Sequence, residues 1–452
     1  MDFTIDKQTL DDLNIFGKQG GISIYNFFCS TYTKGGALLL EKMFRYPLAD
    51  KDEINNRTDT IRFFQKNKIT FPFNGQLFDI VDKYLQNTDV RSKLSNEEDT
   101  LKRKFRSAIG VENEYELLHK GVIAMIEIIN SAKDFIHQIK KTASFKSYEE
   151  DVEKFEFIFK INNLDWTQKE KNKKHLRYPE TAKYDRILRF EKNREMRILL
   201  ELIFRLDVFI SVGNISTTYG LTYAKATNNV DKKIEIKDLY HLNIKDPVKN
   251  DVSIGKNSNM IFLTGANMAG KSTLMKSIGI AVFLAHVGFP VPATAMEFCV
   301  QDGLFTTINL PDNMNVGYSH FYAEVLRVKK IAYEVAKEKK FLIIFDELFR
   351  GTNVKDAYDA TVAILEAFAK REQSTFIIST HIIEAGETLM KKNDNIKFLY
   401  LPTKMEGEIP AYTYTLEEGI TNDRHGMVII RNEKILEILN EEKQLTYEFF
   451  NR

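Results

Sequence analysis

The chain has 452 residues, 28% of them charged and 43% hydrophobic, and its formal net charge is +1. This length exceeds one ordinary compact domain, so at least two cores are expected, and the composition excludes a disordered or fibrous chain. A charge so near zero excludes a global positive field, so any contact with nucleic acid must come from local patches of Lys and Arg.

The opening MDFTIDKQTLDDL is acidic and polar where a signal peptide needs a basic end and an apolar run, so a cytoplasmic location is expected. Cys29 and Cys299 each lie among apolar residues without a CxxC partner, which predicts buried free thiols and neither a disulfide framework nor a zinc site. Up to about Asn228 the chain is rich in Leu, Ile, Phe, Lys and Glu and poor in proline, the texture of long helices. One helix is expected from Gly35-Gly36 to Arg45, stopping at Tyr46-Pro47, and another over Val122 to Ile136. Over Ile198 to Ile210 the apolar side chains Leu199, Leu202, Ile203, Leu206, Phe209 and Ile210 recur at helical spacing, opposite a face carrying Arg194, Glu201 and Arg205. These stripes read as core. Phe155-Glu156-Phe157 falls in the same helical context and reads as packing.

Basic clusters occur at Lys102-Arg103-Lys104-Arg106 and at Lys169, Lys171, Lys173, Lys174 and Arg177, the second with Trp166, His175 and Tyr178 nearby. Such residues can track a phosphate backbone and stack on unpaired bases, but interleaved acids such as Glu97, Glu98, Asp99 and Glu170 favour a solvated helical face.

After Asn228 short apolar runs alternate with helical segments, the pattern of an α/β domain. Met260 to Leu263, Phe341 to Phe345 and Phe376 to Ile378 have the length and continuity of central strands covered on both faces, and each ends in a polar motif. In open α/β sheets ligands lie beyond the carboxyl ends of strands, which is where these motifs should gather.

The first is Gly265-Ala266-Asn267-Met268-Ala269-Gly270-Lys271-Ser272-Thr273, a GxxxxGK[ST] loop whose backbone N–H groups cradle polyphosphate. Lys271 is expected to reach the β- and γ-phosphates and Ser272 to ligate Mg²⁺, with a helix following over Leu274 to Ala285. The most apolar stretch, 278–292, is short for a bilayer and contains His286 and two prolines, so no membrane partner is expected. After the second run, Asp346 is placed to hold Mg²⁺ and Glu347 to polarise an attacking water as general base. The third run ends in Ser379-Thr380-His381, where the histidine is placed to sense a γ-phosphate.

These residues resemble a known family. TGANMAGKSTLMKSIG is similar to the phosphate loop of MutS DNA mismatch-repair ATPases, in which Asn-Met precedes Gly-Lys-Ser-Thr. Phe345 to Thr352 resembles the MutS stretch DEIGRGT, departing from it at Phe349. Val316 to Glu324 is similar to the MutS signature, with His320 in place of threonine. EEGITNDRHGM, with Gly419 and Gly426, resembles the segment before the family's C-terminal helices, and Tyr32 to Arg62 resembles the MutS helical core.

The resemblance implies a multidomain α and α/β fold, with a helical core and lever domain over residues 1–228 and an ABC-type P-loop NTPase domain over 229–452. It implies ATP with Mg²⁺ as cofactors, catalytic roles for Lys271, Glu347 and His381, and nucleotide contacts from Gly265, Asn267, Met268, Gly270, Lys271, Ser272 and Thr273. Val248 and Asn250 fall where the family holds adenine. Ser319 would reach ATP bound to a partner subunit, so a homodimer with composite ATP sites is expected, acting on mismatched, damaged or branched DNA and with repair-pathway proteins. Because the similarity begins in the helical core, a short form without the mismatch-reading and connector domains is expected. The alternative is a factor that binds branched DNA or structured RNA without reading mismatches.

Overall fold

The computed structural model describes residues 3–17, 22–94, 111–142, 145–161, 164–229, 231–255, 257–308, 320–349, 351–406, 409–421 and 434–440. The chain forms two compact units, one of residues 1–24, 46–55 and 221–452, the other of residues 25–45 and 56–220.

The second unit is helical. The glycine pair lies on the helix Lys34–Arg45, and its sequence position has a packing reason. A Cβ on Gly35 would lie 2.3 Å from the Phe204 ring, and one on Gly36 would lie 2.5 Å from an Asp207 carboxylate oxygen. That carboxylate accepts the backbone N–H of Tyr32 and of Thr33, at 2.9 and 2.8 Å, and the Thr33 hydroxyl at 2.7 Å. The expected stripes are core: Leu199, Leu202, Ile203, Leu206, Phe209 and Ile210 are all buried on the helix Asn193–Tyr219. This helix extends beyond the expected span at both ends and stops where Gly220 turns to positive φ. The helix Val111–Ile139 likewise contains and exceeds the expected 122–136.

Ahead of the long helix, a π-helical stretch Arg186–Glu191 carries Arg189, which is fully buried. Its guanidinium donates to both oxygens of the buried Asp185 at 2.8 Å, to the Asn87 and Ser92 carbonyls and to the Ser92 hydroxyl.

The first unit is α/β. Among the described residues its main sheet has seven strands, in the order Thr4–Ile5, Gly303–Thr307, Phe341–Asp346, Thr375–Ser379, Met260–Gly265, Ile396–Leu401 and Glu417–Glu418. All neighbours are parallel except the last pair. Continuous apolar runs make the central strands because both faces are covered. Phe262, Phe305, Ile343, Phe345, Phe376 and Ile378 share one core with Leu365 and Phe368 of the helix Val354–Ala369. A second sheet pairs 225–227, 295–299, 232–239 and 250–255 in that order.

The division into units differs from the single boundary expected near residue 228, because the chain's first residues belong to the α/β unit. Thr4–Ile5 extends the sheet edge against Gly303–Leu304, and the Asp12 carboxylate accepts the Thr306 hydroxyl and the Ile308 N–H. Asp6 is ion-paired with Arg327 and Lys330. His286 completes this packing. It is fully buried, its Nδ1 lies 2.8 Å from the Leu48 carbonyl and its Nε2 accepts the Gln301 N–H at 3.3 Å, so the ring is held neutral and burial pushes its pKa down to about 4.

Candidate functional site

Three adjacent parallel strands carry their polar motifs to one edge of the main sheet. Met260–Gly265 lies next to Thr375–Ser379, which lies next to Phe341–Asp346, with Leu263 in register with Ser379 and Asp346 in register with Ser379. The loop 266–270 joins the first strand to the helix Lys271–Val287. The backbone dictates its glycines: Gly265 and Gly270 have φ of 151° and 99°, and a Cβ on Gly270 would come within 3.1 Å of the Tyr414 ring. Met268 takes φ 68° without being glycine and is largely exposed, as is Asn267.

Lys271 is buried at the helix start, where its ammonium donates to the Gly265 and Ala266 carbonyls at 2.9 and 3.0 Å. Burial lowers its pKa, while the nearby Glu347 and Asp346 carboxylates oppose that shift. The Ser272 hydroxyl donates to one oxygen of Asp346 and the Ser379 hydroxyl to the other. This hydroxyl–carboxylate pair supplies the hard oxygen donors suited to Mg²⁺. Glu347 follows at φ 56°, and Phe349 at φ 62°, both in the left-handed region that side chains rarely adopt. The turn is held by the Glu347 N–H donating to the Ser379 carbonyl at 3.1 Å. It brings the Glu347 carboxylate within 2.6 Å of His381 Nε2.

The sequence-predicted Lys271, Ser272, Asp346, Glu347 and His381 are thus gathered at one edge. Ser379 joins them by bonding Asp346, a role its register beside that residue makes possible and that sequence reading passed over. Ser319 lies outside the described residues, as do Arg350, Gly426 and the cluster 102–106.

Beside the loop lies a cleft of about 480 Å³, lined by Val248, Asn250, Met268, Gly270 and Thr273 and walled by Tyr240, His241 and Tyr414. Asn250 reaches it in a different way from a ligand contact. Its amide donates to the Tyr414 carbonyl at 2.9 Å and accepts the Leu416 N–H at 2.6 Å, so it holds the Tyr414 wall in place. Val248 is exposed and unencumbered. The aromatic walls come from segments distant in sequence, with no motif to mark them.

The basic segment of the helical unit is differently disposed. Lys171 pairs with Asp134 at 2.7 Å, Lys173 contacts Glu170 and Glu180, and Arg177 pairs with Glu180 at 3.0 Å. Trp166 stacks on Tyr184 with ring centroids 4.0 Å apart. Phe155 is buried and Phe157 exposed on the helix Glu149–Ile161.

A parallel sheet with a glycine-rich loop, a helix starting at its lysine and a carboxylate bonded to the loop serine defines a P-loop α/β domain. Residues 261–449 match the family model of MutS domain V. Over 249 residues, 54% of this chain, the sequence is 30% identical to the DNA mismatch repair protein MutS of Persephonella marina, covering 28% of that protein. Over 234 residues, 50% of this chain, it is 29% identical to the DNA mismatch repair protein MutS of Acetivibrio thermocellus, covering 26% of it. The carboxyl-terminal part of the chain is thus similar to MutS proteins, and its matches span about a quarter of the length of these relatives. Among the described residues no helix is long and apolar enough to cross a membrane.

Proposed function

We propose that the protein binds ATP with Mg²⁺, hydrolyses it, and uses the cycle to act on DNA in the manner of MutS mismatch repair. The observation that carries this reading is the convergence of Lys271, the Ser272–Asp346 pair and the Glu347–His381 pair at one sheet edge, inside the region that matches MutS domain V.

Loop N–H groups and Lys271 bind the polyphosphate, with Gly265, Asn267, Met268, Gly270 and Thr273 shaping the cradle. Ser272 and Asp346 hold Mg²⁺, which offsets phosphate charge when bound. Glu347 takes the proton of the attacking water, and His381, now bonded to Glu347, turns to the γ-phosphate. The base occupies the neighbouring cleft between Val248 and the Tyr414 wall that Asn250 positions. In this reading residues 1–228 act as a core and lever, and 229–452 as an ABC-type ATPase domain. Ser319 completes the site of a partner copy in a homodimer, and ATP closure acts on DNA, with repair proteins downstream, in the cytoplasm.

The test is ATPase turnover of the full chain and of Lys271→Ala, alone and with homoduplex, single-mismatch and four-way-junction DNA and with stem-loop RNA. Sedimentation with and without ATP is run alongside. Turnover lost in Lys271→Ala and raised by mismatched DNA is the expected result. Turnover that survives in Lys271→Ala overturns the assignment of the site. A response to junctions or RNA in place of mismatched DNA, or to no nucleic acid at all, overturns mismatch repair.

A further inference from the structure

A second cleft, of about 340 Å³, lies at the opposite, amino-terminal end of the main sheet's strands. It is lined by residues just ahead of the strands Met260–Gly265, Phe341–Asp346, Thr375–Ser379 and Ile396–Leu401, and by Cys299 at the end of a strand of the second sheet. Nothing in the nucleotide reading uses it.

Three side chains in it are incompletely satisfied. Gln301 is 2% exposed, and its amide orientation is fixed because Nε2 donates to the Cys299 carbonyl at 2.8 Å. Its Oε1 is then a buried acceptor with no donor. Lys340 places its ammonium 4.0 Å from the Cys299 sulfur, and Lys233 donates to the Glu372 carbonyl. Among the described residues neither lysine has a carboxylate at ion-pair distance. Burial opposes the charge on Lys233, the Glu372 carboxylate favours it, and Lys340 opposes it more weakly. The carboxylates of Asp231 and Glu372 also line the cleft, and both residues are exposed.

A buried carbonyl oxygen without a donor is costly, and the two ammonium groups, neither of them in an ion pair, can each still take an anionic acceptor. A ligand that serves both must offer anionic acceptors and an O–H donor from the same small group. An ionised carboxylate or sulfate offers acceptors only. A phosphate monoester loses its last acidic proton at a pKa of about 6, and so has no donor above neutral pH. Inorganic hydrogen phosphate keeps both. We propose that this cleft is a binding site for inorganic hydrogen phosphate, with Lys233 and Lys340 taking its charged oxygens and Gln301 Oε1 accepting its P–OH.

The choice between anions is what makes the proposal testable. A site built to accept a hydrogen bond rejects an analogue lacking the donor, because its own buried acceptor is then left unpaired. Calorimetry at pH 8 and constant ionic strength, on full-length Lys271→Ala so that the glycine-rich loop does not contribute, would compare sodium phosphate, sodium sulfate and ribose 5-phosphate. Phosphate should bind at least about tenfold more tightly than either of the others. Adding Gln301→Met should bring phosphate to the sulfate level, and adding Lys340→Met should weaken phosphate at least about tenfold, with circular dichroism confirming the fold. Equal affinity for phosphate and sulfate, or phosphate binding unchanged by Lys340→Met, would overturn the proposal, as would no measurable phosphate binding. Tighter binding of ribose 5-phosphate would overturn the assignment to the inorganic anion.

Discussion

The loop edge of the α/β unit and the basic segment of the helical unit carry the same kinds of residue, with opposite arrangements. At the loop edge the polar groups lie at strand ends, Glu347 on left-handed backbone, and they bond one another across strands: Ser272 to Asp346, Glu347 to His381. In the basic segment Lys171, Lys173 and Arg177 each meet a carboxylate and Trp166 is stacked on Tyr184, so these groups are already engaged. Charge at the end of a buried strand is expensive to place and marks chemistry, whereas charge in the connection between the helices Trp166–Lys169 and Tyr178–Asp185 is cheap and neutralised locally. Breaking the loop edge should therefore remove activity and spare the fold, while breaking a buried structural ion pair of the helical unit should alter stability.

The largest effect is expected for Glu347→Gln. The amide keeps the shape of the carboxylate and cannot take a proton, so turnover should fall by roughly 10²–10⁴ while ATP affinity stays within about threefold. Pre-steady-state hydrolysis with a separate nucleotide-binding titration checks both halves. A loss of turnover under tenfold would remove Glu347 from the role of base.

Arg189→Met tests the helical unit at its most committed charge. The substitution leaves the buried Asp185 carboxylate without its partner and releases the carbonyls of Asn87 and Ser92, so a loss of about 3–5 kcal/mol is expected. Hydrogen exchange of the amides at 87–93 and 186–191 should report it, with ATPase turnover per folded molecule unchanged.

The legibility of the molecule follows the same divide. Apolar runs such as Phe341 to Phe345 announce central strands because both faces are buried, and the motif after each run identifies what lies at its end. Helical stripes such as Leu199 to Ile210 announce a buried face equally well. Hidden from the sequence was anything that depends on pairing between distant segments. Thr4–Ile5 has no strand signal of its own and becomes an edge strand only against Gly303–Leu304. The Tyr414 wall depends on Asn250, far away in the chain, whose amide fits the 414–416 backbone. Arg189 looks like any basic residue of a charged helical stretch, and its complete burial comes from the 87–92 loop folding onto it.

His286 gives the α/β unit a pH dependence of its own. The unfolded chain takes up the imidazole proton near pH 6.5, the native state only near 4, so between those values the unfolded state holds more protons. The stabilisation is complete above pH 6.5 and lost as pH falls toward 4, amounting to about 3 kcal/mol. Exchange protection of the strand Gly303–Thr307 should decline through that window, and a His286→Phe variant should lose this component of the slope.

The smallest effect is expected where sequence reading leaves nucleic-acid contact open. Lys171→Ala removes an exposed ion pair and should change stability by less than about 1 kcal/mol, whereas Lys173→Ala leaves the buried Glu170 carboxylate without its nearest cation and should cost more. If these lysines stay with their carboxylates when DNA binds, the double variant should shift DNA affinity less than about threefold and leave its salt dependence unchanged. Each phosphate contact adds about 0.9 to the slope of log affinity against log salt, so a fall of nearly two in the double variant would show both ammonium groups on the backbone. The segment would then belong with the loop edge, as charge set aside for a ligand, and its ion pairs would be those of the unbound protein.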